Sequence, residues 1–502
     1  MNGNEHRDVG DSASGGALVD LAGEDGEERF CLGYGDVMAL SGDYFMPDGS
    51  GDAARADGDP LVDGTLFGLA RIPGRQGTRP GTRDEIVCAL RVMTVDEAFV
   101  DPRFERGGEF AGFRFGSRSS AGDVERRVRD RYLELAATND DHFVAPGGIT
   151  HEPRPGSPRP FGSAVLAYRH FHQVALEEAR RLGRRRGDLS RAMAREAAAQ
   201  HFLTDAFTAG HLRTPVAQIR RFWRSRYPGF WDCLQRRVAA QTASTLRELS
   251  WALRRLPARF VHDSTLAAVR GRTSRYPELS VGDFLARLFH DWDNVHGLAI
   301  EAGGIVFGDG HVDQGVTRKL AVAAARAGIE DVEAAFELGR SGSELTGEPL
   351  YHAVRAVTRA PADIFRAETK IPRPSPTNPP QNWRATTIET LWDSPIVGAG
   401  GTTVGEALSE MMDPDGYFIR QLDRLGQGLV DTHGLLAVPI VGDRLARTGR
   451  RAFHRGFVEP LAARPKRVIL SVVQASAAGS ETTTAAEDPA RLATVDVAVG
   501  AP

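Results

Sequence analysis

Three observations predict an all-α fold for this 502-residue chain. Apolar residues recur three or four positions apart in most segments, which places them on one face of a helix. No region is strand-rich, and no internal repeat is present. Caps and breakers stand at the ends of the periodic runs, as Ser190 and Gly210 do around 190–209.

The elements follow in order. Residues 1–28 are acidic and glycine-rich without periodicity and read as a disordered tail. Residues 122–137 place Val124, Val128, Tyr132, Leu133 and Leu135 at helical spacing. A loop rich in proline and glycine follows at 144–160. A second helix over 160–183 runs through Leu166, Val174, Leu176 and Ala179. Further helices are expected over 190–209, 215–225, 231–256, 280–295, 316–339, 402–425 and 434–472. The proline-rich stretch 371–383 reads as an extended linker. The expected organisation is therefore a tail (1–28), a catalytic helical domain (29–370), the linker, a C-terminal helical region (384–472) and a second disordered tail (473–502).

Composition narrows the function. The chain is 41% hydrophobic and 25% charged, with 62 Lys+Arg against 66 Asp+Glu and a net charge of −4. This is a globular composition with no basic arm, which disfavours nucleic acid as a partner. Cys31, Cys88 and Cys233 are widely spaced and form neither a disulfide framework nor a thiolate cage. Any metal site must then use nitrogen and carboxylate ligands, for which 14 histidines are available. No signal peptide and no membrane-spanning run is recognisable, so the expected location is cytoplasmic, or outside the cell after non-classical export.

His201 and Asp205 are four apart in an otherwise apolar helix, so they share a face. A buried imidazole and carboxylate need a reason to be there, and metal coordination is one; a plain hydrogen-bonded pair is the other. Gly210 should break the helix and let His211 turn toward a neighbouring ion. His290 and Asn294 form a second pair at the same spacing, with Asp291 and Asp293 as outer partners. Asp43 in SGDYF and His142 in DHF are further candidates.

In this order the residues resemble the bacterial zinc-dependent phospholipase C family, whose superfamily includes the single-strand-specific zinc nucleases. The segment HFLTDAFTAGH (201–211) matches the family's His-Phe/Tyr-x-x-Asp-x-x-x-x-x-His motif, and the likeness covers roughly residues 30–310. The resemblance implies a multi-helix bundle and two zinc ions, or three. Asp43, His142, His201 and Asp205 would hold one; His211, His290 and Asn294 would hold the other, with asparagine standing where the family has a carboxylate. Asp291 or Asp293 would compensate for the missing charge. The family's third site uses the N-terminal residue and a histidine soon after it. Here His6 falls in the expected tail, which leaves the site absent or supplied by His172, itself otherwise an ordinary helix histidine.

The chemistry so implied is phosphodiester hydrolysis: metal-bound hydroxide attacks the phosphorus of a phospholipid or related phosphodiester, with Asp43 orienting or deprotonating the water. Arg213 would face a phosphate or form an ion pair. A nuclease or other phosphoesterase with the same centre is the alternative within the class. A non-catalytic, metal-stabilised protein that binds lipid or a partner is the alternative outside it.

Overall fold

The computed structural model describes residues 1–20, 31–42, 45–47, 63–66, 69–71, 89–90, 140–144, 163–273, 278–398, 400–412, 448–449 and 451–478. The expected helix at 122–137, Asp43 and Cys88 lie outside these residues. The described chain is mostly helical, an all-α fold. Strands are few and short: Leu18–Asp20 pairs with Cys31–Gly33, Leu298–Ala299 pairs with Ile305–Val306, and three more form one small sheet.

The chain divides into two compact units, Met1–Pro215 with Phe289–Pro380, and Val216–Leu288 with Gln381–Pro502. One division falls inside the proline-rich stretch 371–383. The segment 216–288, which linear order joined to the catalytic domain, instead belongs to the second unit.

The first unit contains α1 (Gly3–Ser14), α2 (Tyr34–Leu40), α3 (Ala164–Arg185), α4 (Ser190–Asp205) and α5 (Ala209–Arg213). It also holds the second half of α6 (Val281–His296), with α7 (Thr317–Arg340) and α8 (Gly347–Thr358). Helix α3 packs most extensively on α4 and α7. Alanines dominate these contacts: Ala175 and Ala179 of α3, Ala192 of α4 and Ala335 of α7 are fully buried in one core, where their small side chains bring the helices close together.

The expectation of a disordered start is corrected by α1. Asn2 and Glu5 form a capping box: the Asn2 side chain accepts from Glu5 N at 2.9 Å, and Glu5 Oε2 accepts from Asn2 N at 3.0 Å. Val9 and Ala13 face the core. Gly10 and Gly35 let α1 and α2 cross closely: a Cβ at Gly10 would lie 2.8 Å from Gly35 Cα, and one at Gly35 would overlap the Arg7 carbonyl oxygen. Glycine here serves packing, which composition alone presented as disorder.

The second unit is helical too. Phe230–Leu249 packs against Ala258–Thr273, for which no helix was expected, and against Pro465–Ala478. The expected single helix 231–256 ends at Leu249, and Ser250 caps a new short one, Trp251–Arg254. Helix Pro465–Ala478 runs through residue 473, where the second tail was expected to begin, and residues 479–502 lie outside the described ones.

Candidate metal centre

Helix α4 carries His201 and Asp205 on one face, both fully buried as their i, i+4 spacing anticipates. The chain then breaks over 206–208, four residues earlier than Gly210 suggested. Gly210 sits inside α5, beneath α6, where a Cβ would come 2.5 Å from the His290 carbonyl oxygen. The break swings His211 back to Asp205. His142 arrives from the one-turn helix Asp140–His142.

Asp205 stands at the middle. Its Oδ1 lies 2.6 Å from the Met1 amino group, 3.3 Å from His6 Nε2 and 3.3 Å from His211 Nδ1. Its Oδ2 lies 2.6 Å from His142 Nδ1 and 3.7 Å from His201 Nε2. The last two ring nitrogens are themselves 3.3 Å apart. His6, His201 and Asp205 offer donor atoms all within 4.8 Å of one another.

The outer partners set the tautomers. The Met38 carbonyl accepts from His201 Nδ1 at 3.0 Å, so Nε2 carries the lone pair that faces inward. Thr204 Oγ1 donates to the Gln200 carbonyl and therefore accepts from His6 Nδ1 at 2.8 Å. That leaves the His6 Nε2 lone pair aimed at Asp205. Thr208 Oγ1 likewise donates to the Asp205 carbonyl and accepts from His211 Nδ1, which frees Nε2 of His211.

Electrostatics favour the same protonation states. Burial, with His6 nearby, holds His201 well below the usual imidazole range. Burial drives His211 down to about 3 against the pull of Asp205. Burial pushes Asp205 up, but the positive Met1 amino group and the hydrogen bond from His142 outweigh it and hold the carboxyl well below its usual range. Neutral His201 and His211 beside an ionised Asp205 are the protonation states that a divalent cation requires.

A second group forms beside the first. His290, Asp291 and Asp309 also bring donor atoms within 4.8 Å of one another. Asp291 Oδ1 lies 2.8 Å from His290 Nδ1 and so orients the ring, an outer role anticipated for it. The rings of His211 and His290 are 4.8 Å apart, with Phe143 edge-on to both.

Several expectations are corrected. The oxygen of Asn294 accepts from Gly210 N at 2.7 Å and its amide nitrogen lies 3.2 Å from His290 Nε2, so the side chain braces α5 and His290. Asp293 takes no part in either group: it forms a buried ion pair with Arg213, through Oδ2 and Nε at 2.8 Å. Of the two roles expected for Arg213, phosphate contact or an ion pair, the structure shows the ion pair, buried rather than at the surface. His172 is remote from Asp205 in its bonding: it lies 2.6 Å from Glu196 and 3.6 Å from Asp331, all fully buried. Burial opposes its charge, but the two carboxylates outweigh it and raise His172 to about 10. His6, placed in the expected tail, is in the centre instead. The Asn2-x-x-Glu5 capping box was the signal that could have found it.

Asp309 carried no legible signal, since it belongs to no spaced motif, whereas the N-terminal residue and His6 were named by the family resemblance and set aside because they fell in the expected tail. Comparison with protein-family models, with curated proteins and with solved structures returned no match, so the geometry around Asp205 alone bears on function.

Proposed function

We propose that the Asp205 cluster holds divalent metal ions, and that the chain is a zinc-dependent phosphodiester hydrolase of phospholipase C type acting on a phospholipid or small phosphodiester. One observation carries this reading. The Nε2 lone pairs of His6 and His201 converge on the ionised carboxylate of Asp205, and together they form the donor set that a divalent cation takes.

Bound divalent ions lower the pKa of water to about 7 and neutralise charge on phosphate oxygens. The chain's own residues prepare for this. Met38 and Thr204 hold the imidazoles of His201 and His6 in the ligating tautomer, Thr208 does so for His211, and Asp291 does so for His290. The Arg213–Asp293 pair and Asn294 brace the α5–α6 contact that sets His211 against His290. With Arg213 committed, positive charge for a phosphate comes from the centre itself. Hydrolysis would add water across the phosphorus–oxygen bond and release an alcohol, diacylglycerol for a phospholipid, and a phosphorylated head group. Among the described residues no helix is long and apolar enough to cross a membrane.

Metal analysis of gently purified protein, with turnover of a phosphocholine-type chromogenic ester, tests both halves. About two or three zinc ions per chain and loss of turnover in His201→Ala are expected. A chain without metal would overturn the centre. A fully loaded chain that cleaves no lipid, nucleotide or model phosphodiester would leave a non-catalytic binding protein. Cleavage of nucleic acid alone would make it a nuclease.

A further inference from the structure

We infer that Asp309 is the carboxylate ligand of the ion position at His290, supplying the negative charge that Asn294 lacks. This rests on reading the centre as a metal site. Asp291 fixes the His290 Nδ1 hydrogen outward, so the Nε2 lone pair points inward, 3.5 Å from Asp309 Oδ2. The Asn294 amide nitrogen also reaches this Nε2, at 3.2 Å, so a cation there would displace that contact and take Nε2 and Asp309 Oδ2 as its paired imidazole and carboxylate donors. The other oxygen, Oδ1, lies 3.5 Å from the Met1 amino group, so Asp309 stands between the two groups of donors.

The loop that carries Asp309 is fastened on both sides. Gly308 N donates to the Asn294 carbonyl at 3.1 Å, and the backbone approaches the Asn294 amide so closely that a Cβ at 308 would overlap it. Gly310, with φ +84°, donates from its N to Glu5 Oε1 at 2.7 Å, and Val312 N lies 3.4 Å from the same oxygen. Phe307 and Thr317 exchange two further hydrogen bonds, at 2.7 and 3.1 Å. Glu5 therefore caps α1 and positions Asp309 with the same carboxylate. The Asp309 side chain is 29% exposed while those of Asp205 and His290 are at most 6% exposed, which places it on the open side of the centre.

Zinc titration of the stripped full-length chain against a chromophoric chelator, with the ion count by mass spectrometry, tests the assignment. Asp309→Asn is expected to lose one ion per chain or to hold it at least about tenfold more weakly, with helix content unchanged by circular dichroism. Asp309→Glu should keep the wild-type count. Asp309→Ser repeats the removal should the asparagine variant fold poorly. Wild-type count and affinity in a folded carboxylate-free variant would overturn the assignment while leaving the metal centre standing. A wild-type chain that binds no zinc would overturn both.

Discussion

His6 Nε2 lies 3.3 Å from Asp205 Oδ1, which joins the first helix of the chain to the histidine–aspartate helix α4. The His6 ring also stacks on that of His201 at 4.0 Å between centroids. The cluster therefore depends on how α1 docks, and the docking can be varied without touching a donor atom.

Gly35→Val should wedge α1 away from α2, because the added side chain meets the Arg7 carbonyl oxygen. Overpacking of this kind costs about 1–3 kcal/mol. Zinc affinity should fall as far as in His6→Ala, while circular dichroism keeps its helical signal. An unchanged affinity would mean that α1 does not deliver His6.

Asp205→Asn removes the charge around which the imidazoles gather. Zinc affinity should drop by at least about 100-fold, the upper end of what loss of an orienting partner alone produces. Competition with a chelator measures it, and a smaller loss than in His6→Ala would displace Asp205 from the middle of the centre.

The Arg213–Asp293 pair is buried, with side chains at most 5% exposed. Arg213→Ala removes the guanidinium from the buried Asp293 carboxylate and should cost about 3–5 kcal/mol of unfolding free energy, whereas Arg213→Leu with Asp293→Leu should cost much less. Activity per folded molecule should survive in the double variant. A loss of activity at full stability would return Arg213 to phosphate binding.

His172 supplies a pH signature. Its folded pKa of about 10 stands above the ordinary value of 6.5, so its stabilisation is complete below about pH 6.5 and declines as pH rises toward 10. Denaturant unfolding of wild type and His172→Gln should therefore differ most at low pH and converge near pH 10. The zinc count should be the same in both, and a lost ion would make His172 a ligand.

Local pattern made much of this protein legible. Helical spacing identified α3, α4 and α6, and the i, i+4 pair His201 and Asp205 does share one buried face of α4. His142, His211 and His290 were recognisable from the order of short motifs, and they meet around Asp205 and Asp309. Tertiary structure decided the rest. His6 looked like part of a tail because the glycines of that segment, among them Gly10 at the crossing of α1 and α2, depress hydrophobicity and helix propensity alike. Asn294 looked like a ligand because spacing reveals a shared face but not the backbone N–H of Gly210 that meets it there. Asp309 escaped notice because its place is set by Glu5 and Asn294, both distant in the chain. Periodicity reports which residues of one helix lie together; contacts between separate elements are fixed only when their surfaces pack.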